Sequence, residues 1–93
     1  MKQLQLITTQ GCVGCKVMDN LIIQSLKKLH KVRPQLSYLK QDKSNYNKSF
    51  LASNNITDFP TVLVLIDNQV VFKHTGIVPE STILSWLLKY FGD

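Results

Sequence analysis

Two cysteines, Cys12 and Cys15, are the only thiols in the chain, and two residues, Val13 and Gly14, separate them. A pair at this spacing can exchange electrons with an outside disulfide by closing on itself, or it can hold a soft metal ion. Which of the two it does depends on where the sulfurs stand. A thiol reacts as its thiolate, and the open backbone N–H groups and positive dipole end of a helix's first turn favour that anion. Cys12 opens a helical pattern, where this effect is greatest, and its neighbours Gly11 and Val13 leave it exposed. Cys15 follows about one helical turn deeper. The asymmetry predicts that Cys12 attacks a disulfide and Cys15 resolves the mixed disulfide that forms. Lys16 reads as a solvated side chain beside them.

The elements that must position this pair come from periodicity. Residues 3 to 8 alternate and then turn apolar, the pattern of a strand, and Thr8 to Gly11 is a short loop. From Cys12 to His30, Val17, Met18, Leu21, Ile22, Ser25, Leu26 and Leu29 recur at three- and four-residue spacing, which predicts an amphipathic helix. Pro34 closes it, because the residue before a proline is pushed out of the helical region. Leu36 to Gln41 is a second strand, with Leu36, Tyr38 and Lys40 on one face. Asp42 to Asn47 is polar and turn-rich. Tyr46, Phe50 and Leu51 outline a short helix that ends at Asn54 and Asn55.

Thr61 to Ile66 and Gln69 to His74 flank Asp67-Asn68, a strand, tight turn and strand that predict a β-hairpin. Val78-Pro79-Glu80-Ser81 starts a last helix with Ile83, Leu84, Leu87, Leu88 and Phe91 as its buried stripe, and Gly92 ends it. The order is β-α-β-α-β-β-α. The first two strands, joined through a helix, are expected parallel, and the last two antiparallel, in a four-stranded mixed sheet covered by three helices.

Composition narrows the function classes. The chain has 93 residues and 44% hydrophobic content, which suits one domain, 1–93, with a modest core. Its apolar runs are far shorter than the roughly 18 residues of a membrane span. The start, Met1-Lys2-Gln3-Leu4, shows no secretory pattern, so the expected compartment is the cytoplasm, where close cysteines are catalytic or metal-binding more often than structural. The net charge is +5, and Lys27, Lys28, His30, Lys31 and Arg33 cluster near one helix end. No aromatic residues interleave with them and no nucleic-acid motif is present, so they read as cations complementing the helix dipole.

Metal binding is the competing reading of the cysteines. A structural zinc site takes about four ligands, and beyond the two thiols the chain has only two histidines. His30 falls roughly 27 Å along the helix from the motif, and His74 reads as an edge-strand residue. Met18, Trp86 and Phe91 read as core. Soft-metal chaperones also carry such a pair after a first strand, but on a β-α-β-β-α-β plan, whereas this chain ends in a hairpin and a helix. A third possibility is an adaptor whose redox pair is idle, against which the retained cysteines argue.

Phe59-Pro60-Thr61 is the second informative group. A proline opening a buried strand cannot donate to the ladder; general frequency favours a trans bond, and a cis bond would be a deliberate feature. With Cys12-Val13-Gly14-Cys15 after a first strand, and Leu51 to Thr61 leading through a helix into Pro60, the sequence resembles the thioredoxin superfamily, in its small thioredoxin and glutaredoxin-like forms. From Pro60 to Gly76 the hairpin keeps the thioredoxin register. The resemblance implies a thioredoxin-like α/β fold and a thiol-disulfide oxidoreductase with a redox-active disulfide, serving electron transfer and cell redox balance. Cys12 and Cys15 would be catalytic. A cis Pro60 would lie beside the sulfurs, and the backbone at Phe59 and Thr61 would pair with an extended substrate segment, rimmed by Gly76 and Ile77. Disulfide-bearing proteins are the implied substrates and a reductase or small thiol the electron donor, with no cofactor, nucleic acid or membrane partner, for a protein acting as a monomer.

Departures from the pattern are specific. Gln10-Gly11 stand where thioredoxins carry a tryptophan, Gly14 replaces a proline, and the single tryptophan, Trp86, lies in the last helix. Thioredoxins place a buried acid on the strand before the motif; here that position is Leu6, which leaves the proton acceptor for Cys15 unassigned. Thr75-Gly76-Ile77-Val78-Pro79-Glu80 offers one glycine and one acid where glutaredoxins use a glycine pair and an acidic pair for glutathione, so glutathione binding is disfavoured.

Overall fold

The computed structural model describes residues 1–29 and 36–92. The expected order is observed: β1 (Lys2–Thr8), α1 (Val13–Lys28), β2 (Ser37–Asp42), α2 (Lys48–Ser53), β3 (Thr61–Ile66), β4 (Gln69–Thr75) and α3 (Glu80–Phe91). The strands form one sheet in the order β2-β1-β3-β4, with β1 and β2 parallel and both other pairs antiparallel. The two central strands, β1 and β3, are the most buried, as strands covered on both faces must be.

Alternation along those strands sends side chains to two cores. Leu4, Leu6, Val62 and Val64 meet Met18 and Ile22 of α1 and Ile83, Leu87 and Phe91 of α3 on one face. Ile7, Leu63, Leu65 and Ile56 form the second core, which Phe50, Leu51 and Phe59 cover on the other. Each such side chain removed from water contributes about 1.5–3 kcal/mol before its ordering entropy is subtracted. The site therefore stands on a frame whose middle strands are dry on both sides.

The helix faces are narrower than their periodicity. On α1 the buried residues are Cys15, Met18, Ile22 and Ser25, while Val17 is 40% exposed. On α3, Leu88 is 54% exposed and Leu84 half-buried. Each helix lies on a single sheet face, so an apolar stripe wider than the contact leaves its margins in water. Ser25 donates its hydroxyl to the Leu21 carbonyl at 2.7 Å, which lets a polar residue sit in the stripe. The Pro34 helix stop and the position of His30 lie outside the described residues. Of the basic cluster, Lys27 and Lys28 occupy the last turn of α1, and Lys28 pairs with Glu80 of α3 at 2.9 Å.

The left-handed residue after α2 and the two-residue hairpin turn are as expected, whereas a 3-10 turn, the place of Tyr46 and a slipped register depart from the sequence pattern. The polar stretch after β2 winds into a 3-10 turn, Lys43–Asn45, whose cap Asp42 accepts from the Ser44 N–H at 2.9 Å. Tyr46 therefore precedes α2 in an extended conformation, and its hydroxyl reaches under the sheet to Gln5 at 2.9 Å. Asn55 supplies the left-handed residue after α2, with φ 55°. The hairpin turn has both Asp67 and Asn68 at positive φ, the geometry that matches strand twist. Its register then slips at Val64/Leu65, whose partners are Phe72 and Val70, so Val71 is an extra residue on β4.

Candidate active site

The site grows from the turn that links β1 to α1. Gly11 adopts a left-handed conformation, φ 71°, which turns the chain into the helix without a side-chain clash. Cys12 is the N-cap, in extended geometry, and its Sγ accepts a hydrogen bond from the Cys15 N–H at 3.0 Å. An N-cap normally offers a serine, threonine or asparagine oxygen to that N–H. Here the sulfur takes the place of the oxygen, so Cys12 lies at the positive end of the helix.

Cys12 and Cys15 are joined in a disulfide, with their Cα atoms 5.3 Å apart. Cys12 is partly exposed and Cys15 is 4% exposed. This is the expected order of access: an outer sulfur open to solvent and an inner one on the buried face of α1. Lys16 is exposed.

Pro60 is buried and its bond to Phe59 is cis, as the resemblance implies. The start of β3 lies close to the start of α1. A Cβ added to Gly14 would stand 3.5 Å from Pro60 Cδ and 3.2 Å from Ile77 Cδ1, so Gly14, Pro60 and Ile77 form one wall beside the cysteines. Gly76, φ 104°, donates its N–H to the Pro60 carbonyl at 2.9 Å and closes the end of the hairpin over the proline. Thr61 is fully buried; its hydroxyl donates to the Asp58 carbonyl at 2.6 Å and lies 3.0 Å from the Thr75 hydroxyl. Phe59 is half-buried under Lys43, whose ammonium sits 5.6 Å from the ring centroid. Ile77 is 54% exposed and Val13 75% exposed, so the rim around the disulfide is apolar.

On the opposite side of β1 lies a cleft of about 390 Å³, bounded by the Thr8 to Val13 turn, Cys15, Lys16, Asp19 and Lys40. Asp19 is the feature that sequence reasoning missed. Its side chain is 16% exposed and is held from β2 on both oxygens, by the Tyr38 hydroxyl at 2.8 Å and the Lys40 ammonium at 3.1 Å. Burial, and then the adjoining carboxylate, push the Tyr38 phenol far above its ordinary range, so it remains a donor. The signal was present: Asp19 falls four residues after Cys15 on a helix, and Tyr38 and Lys40 share a strand face.

The remaining candidates fall elsewhere. His74 packs at a tilt against Trp86, 5.2 Å between centroids, and Trp86 packs with Phe72 at 5.0 Å, on the far edge of the sheet. Among the described residues no three histidine, cysteine or acidic side chains group as a metal site, and no described helix is long and apolar enough to cross a membrane.

No family model and no curated protein sequence matches the chain. Solved structures do. A point mutant of the thioredoxin from Halobacterium salinarum superposes with a TM-score of 0.75 at 15% identity, covering 99% of this chain and 76% of that one. The thioredoxin of Fasciola hepatica gives 0.72 at 18%, covering 96% and 80%. Thioredoxin-2 of the malaria parasite, described as a component of its protein secretion machinery, gives 0.74 at 16%, covering 96% and 82%. The fold is thioredoxin-like, and its cysteine pair forms a disulfide.

Proposed function

We propose that this chain is a small thioredoxin-like thiol-disulfide oxidoreductase that reduces protein disulfides with Cys-Val-Gly-Cys as its redox pair. The observation that carries the reading is the unequal placement of two bonded sulfurs: Cys12 caps α1 within reach of solvent, and Cys15 is buried behind it. In the reduced protein the Cys12 thiolate, favoured by the helix end, attacks a substrate disulfide and forms a mixed disulfide. Cys15 then attacks Cys12 Sγ, releasing the substrate's second thiol and restoring the Cys12–Cys15 bond. Two electrons pass to the substrate, and an outside dithiol or reductase returns them.

Substrate is presented along the Pro60 wall. An extended segment pairs with the backbone at Phe59, while Thr61 fixes the loop through its bonds to Asp58 and Thr75 and Gly76 holds the Pro60 carbonyl. Ile77 and Val13 offer apolar contact on either side. The expected partners are disulfide-bearing proteins and a reductase or small thiol, met by a monomer in the cytoplasm without a cofactor.

Insulin reduction driven by dithiothreitol tests the reading. The wild type is expected to give a rate well above background, Cys12→Ser none, and Cys15→Ser a trapped mixed disulfide at Cys12. A wild type no faster than dithiothreitol alone, or an equally active Cys12→Ser, overturns it.

A further inference from the structure

Resolution of the mixed disulfide needs the Cys15 proton to leave, and the strand position where an acid could serve is occupied by Leu6, which is fully buried among apolar side chains. The helix offers another route. Cys15 and Asp19 are four residues apart on α1 and therefore lie on one face, and both border the same cleft. That cleft, about 390 Å³, carries Thr8, Thr9, Gln10, Lys16 and Lys40 beside its apolar lining and is roomy enough for solvent to connect them. Among the described residues that bound it, Asp19 is the only carboxylate. Asp58 lies in the loop before Pro60, Glu80 is paired with Lys28, and His74 packs against Trp86.

We infer that Asp19, held in place by Tyr38 and Lys40, is the proton acceptor for Cys15 during resolution. This rests on the oxidoreductase reading. The Cys15 S–H bond breaks and its proton passes through cleft solvent to the Asp19 carboxylate. The Cys15 electron pair then forms the bond to Cys12 Sγ as the bond from Cys12 to the substrate sulfur breaks. That sulfur departs with the electron pair and takes up a proton, which Asp19 returns through the same solvent, so the carboxylate is regenerated in each turnover. The groups facing Asp19 are Cys12, Cys15 and Lys16 from α1 and Tyr38 and Lys40 from β2; the Thr8, Thr9 and Gln10 side chains at the cleft mouth do not titrate. Two donors from a neighbouring strand fix the carboxylate's position, a role a solvated helix aspartate has no need of.

Mixing the reduced protein with dithiobis(nitrobenzoate) separates the steps, because attack by Cys12 releases one thionitrobenzoate and resolution by Cys15 releases a second. Asp19→Asn is expected to leave the first phase within about twofold of wild type and slow the second on the order of 100-fold at neutral pH. The gap is expected to narrow as pH rises, because hydroxide then takes the thiol proton without help. Lys40→Met provides the second measurement: without the ammonium the carboxylate loses one of the two contacts that hold it, and the second phase slows while the first does not. A second phase unchanged in Asp19→Asn or in Lys40→Met, or both phases slowed alike at every pH, overturns the inference. Wild type showing no second phase overturns the oxidoreductase reading and this inference with it.

Discussion

The disulfide sits between two unlike flanks, because β1 has β2 on one side and β3 on the other. Toward β3 the wall is apolar and tightly fitted: Pro60, Ile77 and Gly14 leave no room for an added Cβ without movement. Toward β2 the flank is an open cleft of mixed lining, with one carboxylate held by a phenol and an ammonium. The difference separates two tasks that one pair of sulfurs must perform. Binding an extended apolar segment wants a dry, shaped surface, whereas moving a proton wants a base and solvent. Placing them on opposite sides of one strand lets each environment be built without diluting the other.

The sharpest way to break that division is to move the acid. Leu6→Asp puts a carboxylate in the dry core on the central strand, and it is expected to cost roughly 3–5 kcal/mol, as an unpaired buried charge does; urea unfolding measures it. If stability holds, the two flanks are not as distinct as their side chains indicate. Tyr38→Phe tests the β2 flank more gently. It removes a hydrogen bond to a charged group and is expected to cost about 1.5–3 kcal/mol in the same assay.

Gly14→Ala probes the apolar flank and is expected to change stability in the other direction. Alanine favours a helix over glycine by up to about 1 kcal/mol, and the atom it meets at 3.2 Å is the end of a half-exposed isoleucine that can turn away. Thermal unfolding is expected to shift upward by a few degrees, while KM for insulin rises as Ile77 leaves the rim. An unchanged KM would remove Ile77 from the binding wall.

The smallest effect is alkaline. Burial raises the Tyr46 phenol to about 12, and Tyr38 lies higher still. Both folded values exceed the ordinary value of about 10, so their contribution is complete below about pH 10 and is lost as pH rises through the folded values. Stability followed by urea from pH 8 to 12 is expected to fall only above about 10, with the fall reduced in Tyr46→Phe. A fall that begins near neutrality would assign the titration to other groups.

Most of the frame was legible because its signals are local. Cysteines at a strand-to-helix junction, Asp67-Asn68 between β-branched runs, and Ile83, Leu87 and Phe91 at helical spacing each state their geometry within a few residues. The register slip at Val71 and the exposure of Val17 and Leu88 were not legible, since they depend on how far a neighbouring surface extends. Pro60 was placed through family resemblance, because no periodicity marks its bond. Asp19 was overlooked for a related reason: it reads as one more polar residue on the wet side of α1. Its meaning comes from Tyr38 and Lys40, 19 and 21 residues away along the chain.

The slipped register of β4 has a bearing on how the protein behaves in company. β4 is an outer strand, and an outer strand with regular pairing groups invites the same strand of a second molecule. The extra residue at Val71 interrupts the row of outward N–H and C=O groups midway and adds local twist, so two such edges do not align over their length. The bulge thereby keeps this outer strand from collecting extended segments of other chains.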